Sequence, residues 1–332
     1  QTDNSDEKVK TKSLFFFLVL FGCSSNECYY SQNKPLQNIT VENITEEIST
    51  IKKVNDFGDF LSENKKTLYP FYEIEDTSFL LDKAANAFSL IDNLYFDSLS
   101  YDVSLEFDNL QRVFYQFDKS IEKLNKESNR IFNPKITVLT SGFFNDVVVN
   151  GENRVIGWDY FLPTTNKYKP RDLPYYILNR YSPENINATS LSTYLSQFNL
   201  VNESDLTLIN EMISFGKLYY VVSKLLPCTE ERIVLGYSNE EYNLIQNNEA
   251  FIYSYFLQNE ILFEESNIIK QKYLSERPST FEISQSVPGR VGRWLGWKIV
   301  SSFMSSSTYT LEELLKEDDY KNIFYNSNYN PI

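Results

Sequence analysis

The amino-acid sequence predicts an α+β protein that is predominantly helical and carries a small sheet. Long stretches place apolar residues three and four positions apart, which is the period of an amphipathic helix. Residues 136–158 instead contain short β-branched runs around Asn150-Gly151, and this pattern is typical of a β-hairpin. With 332 residues and 42% hydrophobic content, the chain can bury a substantial core.

The helical stretches lie on both sides of the predicted hairpin. They cover about 79–91, 104–128, 206–226 and 239–263. Between the hairpin and the third helix, a segment marked by Pro163 and Pro183 looks irregular. Its tyrosines Tyr175, Tyr176 and Tyr181 are expected to cover apolar surface.

Residues 288–297, PGRVGRWLGW, differ most in composition from the rest of this acidic chain. The following residues extend the pattern into a helix that opens at Ser286 or Pro288, and its Gly292 and Gly296 would let a second helix approach closely. One interpretation is a tightly packed core helix. The other is that Arg290 and Arg293, near the start of the helix, meet an anion.

Two charged residues interrupt apolar seams. Lys217 follows Gly216 within the third helix, and Glu249 occupies a position in the fourth where the spacing predicts an apolar side chain. A buried, unpaired carboxylate is costly, so we expect Glu249 to meet Lys217, Arg290 or Arg293. It could form a structural ion pair or act as a catalytic acid, because both roles use a perturbed carboxylate. Lys217 could otherwise extend its ammonium group from the seam edge to water.

The composition excludes several functional classes. The net charge of −14 argues against a general binder of nucleic acid or anionic lipid, since both need a basic surface. The chain contains no His, which removes the usual general base and the commonest zinc ligand. We therefore expect no bound metal and no cofactor.

The amino-terminal residues predict export and lipid anchoring. Three lysines precede the apolar run at residues 14–21, which suits a signal-peptide core but is too short to span a bilayer. The run ends at Gly22-Cys23, and residues 20–23 resemble a bacterial lipobox, in which the Cys is lipidated. The expected organisation is a signal peptide at 1–22, a tether anchored at Cys23 over 23–45, and a single domain over 46–332. The sequence gives no geometry by which to decide whether the remaining Cys28 and Cys228 form a disulfide.

Several motifs recur in the order and approximate spacing of a known family. They are LYPF at 68–71, IGWDYFL at 156–162, GKLY at 216–219, LP at 226–227, LGYS at 235–238, NE at 248–249, PGRVGRWLGW at 288–297 and NSNYNP at 326–331. Together they resemble the gliding motility lipoprotein GldB family of Bacteroidetes, over roughly residues 55–332. The carboxy-terminal motifs are the more specific ones.

The resemblance carries an expectation about the scaffold. The family is distantly similar to predicted zinc peptidases with a His-Glu-x-x-His helix and a later helix with an acidic residue before Gly. Here the helix near 191–198 has no His, and Phe215-Gly216-Lys217 lacks the acidic residue before Gly. The resemblance therefore implies a degenerate, zincin-like scaffold without metal chemistry.

The resemblance also implies a function. It predicts a non-enzymatic lipoprotein of the cell envelope, in the outer membrane, that supports gliding motility or type IX secretion by binding proteins of that machinery. The residues expected to line or support its cleft are Lys217, Glu249, Arg290, Arg293, Trp294 and Trp297. The alternative is a His-independent hydrolase of peptides or glycans that uses Glu249 with Asp159 or Glu211.

Overall fold

The computed structural model describes Cys28 and residues 35–331, and it has the expected α+β architecture with a preponderance of helix. The predicted signal peptide and Cys23, the residue predicted to be lipidated, lie outside the described residues. The strands are β1 (Thr40–Asn43), β2 (Lys135–Leu139), β3 (Val147–Asn150) and β4 (Asn153–Gly157). The helices before the hairpin are α1 (Thr45–Thr50), α2 (Val54–Glu63), α3 (Lys65–Phe71), α4 (Leu80–Ile91), α5 (Phe96–Glu106) and α6 (Leu110–Glu127). Those after it are α7 (Tyr175–Leu178), α8 (Ile186–Ser196), α9 (Leu208–Leu225), α10 (Glu231–Leu235), α11 (Asn239–Asn247), α12 (Glu249–Gln258), α13 (Asn267–Leu274), α14 (Val291–Ser306), α15 (Leu311–Lys316) and α16 (Tyr320–Asn326).

The four strands form one mixed sheet in the order β1-β2-β4-β3. Strands β1, β2 and β4 run parallel, whereas β3 pairs antiparallel with β4 through the predicted hairpin. Gly151 in the hairpin turn has a φ of +60°, a conformation that glycine adopts without steric cost. The Asn-Gly pair therefore predicted this turn correctly.

The sheet is buried on both faces because its side chains alternate between two hydrophobic clusters. Ile136, Val138 and Ile156 face the larger cluster, which contains helices α8–α16 together with α5 and α6. Leu139 and Val155 face a smaller cluster, formed with α2, α3 and α4. This period of two places the sheet between the two helical layers.

Strand β1 was not predicted. Residues 40–43 were assigned to the tether, but they pair in parallel with β2. The preceding residues are also fixed, because the Asp118 carboxylate accepts the backbone N–H groups of Gln37 and Asn38 at 2.9 and 2.7 Å. The polar composition misled the prediction, since these contacts are made over a sequence distance of about eighty residues.

Two predicted helices have different boundaries in the structure. The helix expected over about 104–128 begins only at Leu110, because the Asn109 side chain caps it by accepting the N–H of Arg112 at 2.9 Å. The helix expected over about 239–263 is interrupted at Asn248, which separates α11 from α12. The Asn248 amide donates to the carbonyl of Leu244 at 2.8 Å, a local bond that competes with regular helix geometry.

Helices α9 and α14 approach each other through glycine, as predicted for residues 288–297. A Cβ atom on Gly296 would lie 1.8 Å from the carbonyl oxygen of Met212 in α9, so no side chain fits there. Gly292 does not share this contact, contrary to the prediction, and instead faces Tyr273 in α13. The apolar positions Val291, Leu295, Ile299 and Phe303 of α14 are buried as expected.

The remaining features concern the ends of the fold and its surface. Cys28 forms a disulfide with Cys228, with a Cα–Cα distance of 5.5 Å.

Of the three tyrosines predicted to cover apolar surface, Tyr181 packs against the core, but Tyr175 is 75% exposed. Within the described part of the chain, each helix is too short or too polar to cross a lipid bilayer.

Candidate functional site

A cleft of about 400 Å³ lies between the irregular segment before α8, helices α8 and α10, and the start of α14. Its polar wall carries hydroxyl groups from α8 together with the charged residues described below. Its apolar wall comes from the irregular segment and α10. The residues that line it are Leu173, Ile177, Arg180, Tyr181, Asn185, Ala188, Thr189, Ser192, Thr193, Tyr219, Ile233, Val234, Leu235, Gly236, Glu276, Arg290 and Arg293.

Arg290 is fixed at the base of this cleft. It is 4% exposed and adopts a φ of +61° immediately before α14, a conformation that costs a residue with a side chain about 1 kcal/mol. Its guanidinium donates to the carbonyl oxygens of Leu235 and Gly236 at 2.7 and 2.5 Å. It also lies 4.6 Å from the ring centre of Tyr237. These contacts hold a buried charge in a defined place.

Glu276 connects three arginines in the cleft. Its carboxylate forms ion pairs with Arg180, with the Nε of Arg290 at 3.1 Å and with the Nη1 of Arg293 at 3.7 Å. Three positive charges and one negative charge give these four side chains a formal charge of +2. The Nε atoms of Arg180 and Arg293 are buried and lack a hydrogen-bond partner among the described residues, whereas that of Arg290 faces Glu276. The cleft therefore has excess positive charge.

The electrostatic field of the cleft affects its neighbours. Burial raises the pKa of Tyr219, but the nearby Arg293 and Arg290 charges outweigh this effect, so the pKa is lowered overall. Burial lowers the pKa of Arg180, and the adjacent Arg290 charge lowers it further, whereas Glu276 only partly compensates. Both shifts have the direction expected of a site that favours an added negative charge.

Lys217 lies outside this cleft. Its ammonium group donates to the carbonyl oxygens of Leu200 and Glu317, both at 2.6 Å, and it approaches that of Leu315 at 3.4 Å. It therefore binds the carboxy-terminal end of α15, where helix carbonyls favour a cation. It does not reach out to water, since the residue is 2% exposed, and burial lowers its pKa to about 8.

Glu249 also lies elsewhere, and the prediction of its partner was wrong. It pairs with Lys298 at 2.9 Å and accepts the hydroxyl of Tyr329 at 2.9 Å, rather than meeting Lys217, Arg290 or Arg293. The break at Asn248 makes Glu249 the first residue of α12. The apolar spacing that was taken to run through Glu249 therefore belongs to two separate helices. This cluster attaches the carboxy-terminal NSNYNP motif to α12 and α14.

The two tryptophans of α14 support the fold rather than the cleft. Trp294 is fully buried in the larger hydrophobic cluster. Trp297 is 6% exposed, and its ring centre lies 5.9 Å from the Lys298 ammonium group. Of the six predicted cleft residues, the structure thus brings together Arg290 and Arg293.

The carboxylates considered for hydrolysis have separate partners. Asp159 accepts the backbone N–H groups of Ser141 and Phe143 at 3.0 and 2.6 Å, and burial raises its pKa to about 6. Glu211 forms an ion pair with Lys270, while Glu249 is held by Lys298. Each carboxylate therefore has a local role in holding the fold together.

Sequence reasoning missed Arg180 and Glu276. Arg180 lies in the irregular segment, and Glu276 lies between α13 and α14, so neither belongs to a helical seam that would mark it. Arg180 is about a hundred residues from Arg290 in sequence, so their proximity depends on tertiary packing. Among the described residues, no cluster of three or more Cys, Asp or Glu side chains could hold a metal ion.

A sequence model of the family described as gliding motility protein GldB matches residues 29–331. No curated protein and no solved structure matches the chain. The family match covers both helical layers, the sheet, the cleft and the carboxy-terminal motif. The chain therefore belongs to the gliding motility protein GldB family.

Proposed function

We propose that this protein is a lipid-anchored protein of the cell envelope that supports gliding motility, and with it type IX secretion, by binding a partner protein without catalysis. Membership of the GldB family supports the link to gliding. The cleft around Arg180, Arg290 and Arg293 is the proposed binding site.

The observation that carries the proposal is the arrangement of these three arginines around Glu276. Arg290 is buried and held in a strained conformation, and the four charges leave an excess of +2 next to an open cavity. Fixed donors of this kind bind an anionic group without reorganising. The chain has no His, and the carboxylates that could replace it have separate partners.

The envelope location rests on further observations. The lipobox-like residues 20–23 predict a lipid anchor at Cys23, and the predicted outer-membrane location follows from the resemblance. The disulfide between Cys28 and Cys228 is typical of an oxidising compartment. The zincin-like origin of the scaffold stays a prediction that follows from the resemblance alone.

The test is complementation in a gliding bacterium from which its own GldB has been removed. We expect the wild-type chain to restore gliding, and Arg293→Gln to fail while reaching the membrane in normal amount. Cys23→Ala should fold but leave the membrane fraction. Full gliding by Arg293→Gln, or equal membrane association of Cys23→Ala, would contradict the corresponding part of the proposal.

A further inference from the structure

A second, larger cavity lies along the same irregular segment as the arginine cleft. This cavity has a volume of about 560 Å³ and is lined mainly by the α4–α5 connection, the residues after β2 and the irregular segment. Leu173 lines both cavities. A narrow space of about 20 Å³ shares Tyr168 and Lys169 with the larger cavity and Tyr181 with the cleft. The irregular segment therefore contributes to the walls of all three spaces, and we call the surface along it the groove.

The second cavity is also positively charged. Lys167, Lys169 and Arg171 line it, together with the single acidic residue Asp172, so its formal charge is +2. All three cations are exposed, and none has a carboxylate within ion-pair distance in the described part of the chain. Two adjoining cavities with a charge of +2 each stand out in a protein with a net charge of −14.

The groove is apolar between its charged groups. The second cavity includes Phe96, Leu99 and Tyr160, and the cleft includes Ile177 and Ile233. A small inorganic anion would not contact these apolar walls, and it could not reach both charged regions at once. An extended peptide presents side chains at regular intervals, so its acidic side chains can meet the cations while apolar ones cover the walls.

We propose that this groove binds an extended acidic segment of a partner protein, with one carboxylate in the cleft at Arg180 and Arg293 and a second beside Lys169 and Arg171. This inference rests on the proposed function and names the chemistry of the partner. Glu276 shows that the three arginines accommodate a carboxylate. The two positive charges in excess of Glu276, together with the α8 hydroxyl groups that line the cleft, favour a second carboxylate.

The binding experiment uses the full chain, purified in detergent with its disulfide intact. The probe is a fluorescein-labelled peptide with the sequence Glu-Leu-Asp-Leu-Glu, and its control is the uncharged counterpart Gln-Leu-Asn-Leu-Gln. Fluorescence anisotropy should show binding of the acidic peptide alone, and the affinity should fall as salt is raised because the contacts are charged. Unlabelled peptide and inorganic phosphate serve as competitors.

Variants then locate the site. Arg293→Gln and Lys169→Gln should each weaken binding about tenfold, whereas Arg293→Lys should retain part of the affinity. Arg112→Gln and Lys126→Gln make the same charge changes at exposed helical sites and should leave the affinity unchanged. Thermal unfolding of each variant checks that the fold is intact.

Three results would overturn the inference: no binding of the acidic peptide, equal binding of the uncharged peptide, or binding that is insensitive to both groove variants. Complete displacement of the acidic peptide by an equal concentration of inorganic phosphate would also overturn it, because the site would then take a compact anion. Gliding separates this inference from the proposed function. If Arg293→Gln abolishes gliding but the wild type does not bind the acidic peptide, only the proposed ligand class is wrong. If the wild type binds the peptide but Arg293→Gln glides normally, the cleft has no role in motility.

Discussion

The carbonyl oxygen of Gly296 in α14 lies 2.3 Å from the point that a Cβ atom on Gly216 in α9 would occupy. This distance is too short for any side chain, so the two helices pack backbone against backbone. The packing of α9 against α14 positions one side chain that holds the fold together and one that lines the proposed binding site. Lys217 extends from α9 to α15, and Arg293 extends from α14 into the cleft.

We predict that Gly296→Ala lowers the free energy of unfolding by about 1–3 kcal/mol or more, because the new methyl group must push α9 and α14 apart. The intrinsic helix preference of Ala, about 1 kcal/mol relative to Gly, would act in the opposite direction. Urea unfolding measures the difference.

Gly58→Ala is the matched control. Gly58 lies inside α2, and its added Cβ would meet Leu81 at 3.6 Å, an ordinary contact distance. We expect this variant to be as stable as the wild type or more stable. Equal effects of Ala at positions 58 and 296 would show that the close approach of α9 and α14 is not what requires glycine.

These glycines also show what could be predicted from the sequence. Helical seams, the hairpin and the close approach at Gly296 depend on spacing or local backbone chemistry, so the pattern reveals them. The partner of Glu249 and the contact of Arg180 with Glu276 depend on how distant segments meet. A single interruption at Asn248 was enough to invalidate the seam read through Glu249, because a helix break changes which face each later residue occupies.

Lys217 predicts a pH dependence of stability. Its pKa in the folded protein, about 8, is lower than its ordinary value of 10.5, so folding disfavours the charged form. This penalty is fully present below pH 8 and declines as the pH rises towards 10.5. Relative to Lys217→Met, the wild type should gain roughly 3 kcal/mol of stability over this window.

Urea unfolding of both proteins between pH 7 and 10.5 tests this dependence, since the titration of other groups cancels in the difference. Lys224→Met is the control, because Lys224 is an exposed lysine of the same helix. Its difference from the wild type should stay flat. A flat or falling difference for Lys217→Met would contradict the lowered pKa.

Glu276→Gln should destabilise the fold and increase its response to anions. The substitution raises the formal charge of the cleft from +2 to +3 and leaves three arginines without their shared carboxylate. We expect a loss of about 1–3 kcal/mol, smaller than for a fully buried ion pair because Glu276 is partly exposed.

Sulfate should restore part of this loss by binding to the arginines. The measurement is the rise in melting temperature in sodium sulfate relative to sodium chloride at equal ionic strength. Glu282→Gln removes an acidic partner of Arg277 outside the cleft and corrects for the general stabilising effect of sulfate. The same rise for both variants would mean that the cleft does not attract anions.

The disulfide predicts how the protein is oriented on the membrane, provided that Cys23 carries the proposed lipid. Cys28 lies five positions after Cys23 along the chain, which allows at most about 18 Å of extended backbone. Cys28 is joined to Cys228, three residues after α9, so the surface around Cys228 must face the bilayer. Apart from the disulfide, Gln37 is held to the body through Asp118, and the fourteen positions from Cys23 to Gln37 allow about 50 Å of extended backbone.

Lys224, which is exposed near Cys228, should therefore react slowly with a bulky amine reagent when the protein is anchored in vesicles. Cys28→Ser should increase this reaction and, by removing the cross-link, lower the free energy of unfolding by about 2–4 kcal/mol. Lys83 belongs to the other helical layer, and its labelling should not depend on the disulfide. If Lys224 is labelled at the same rate in both proteins on vesicles, the disulfide does not set the orientation. If Cys28→Ser also unfolds at the same urea concentration as the wild type, the bond does not stabilise the body either.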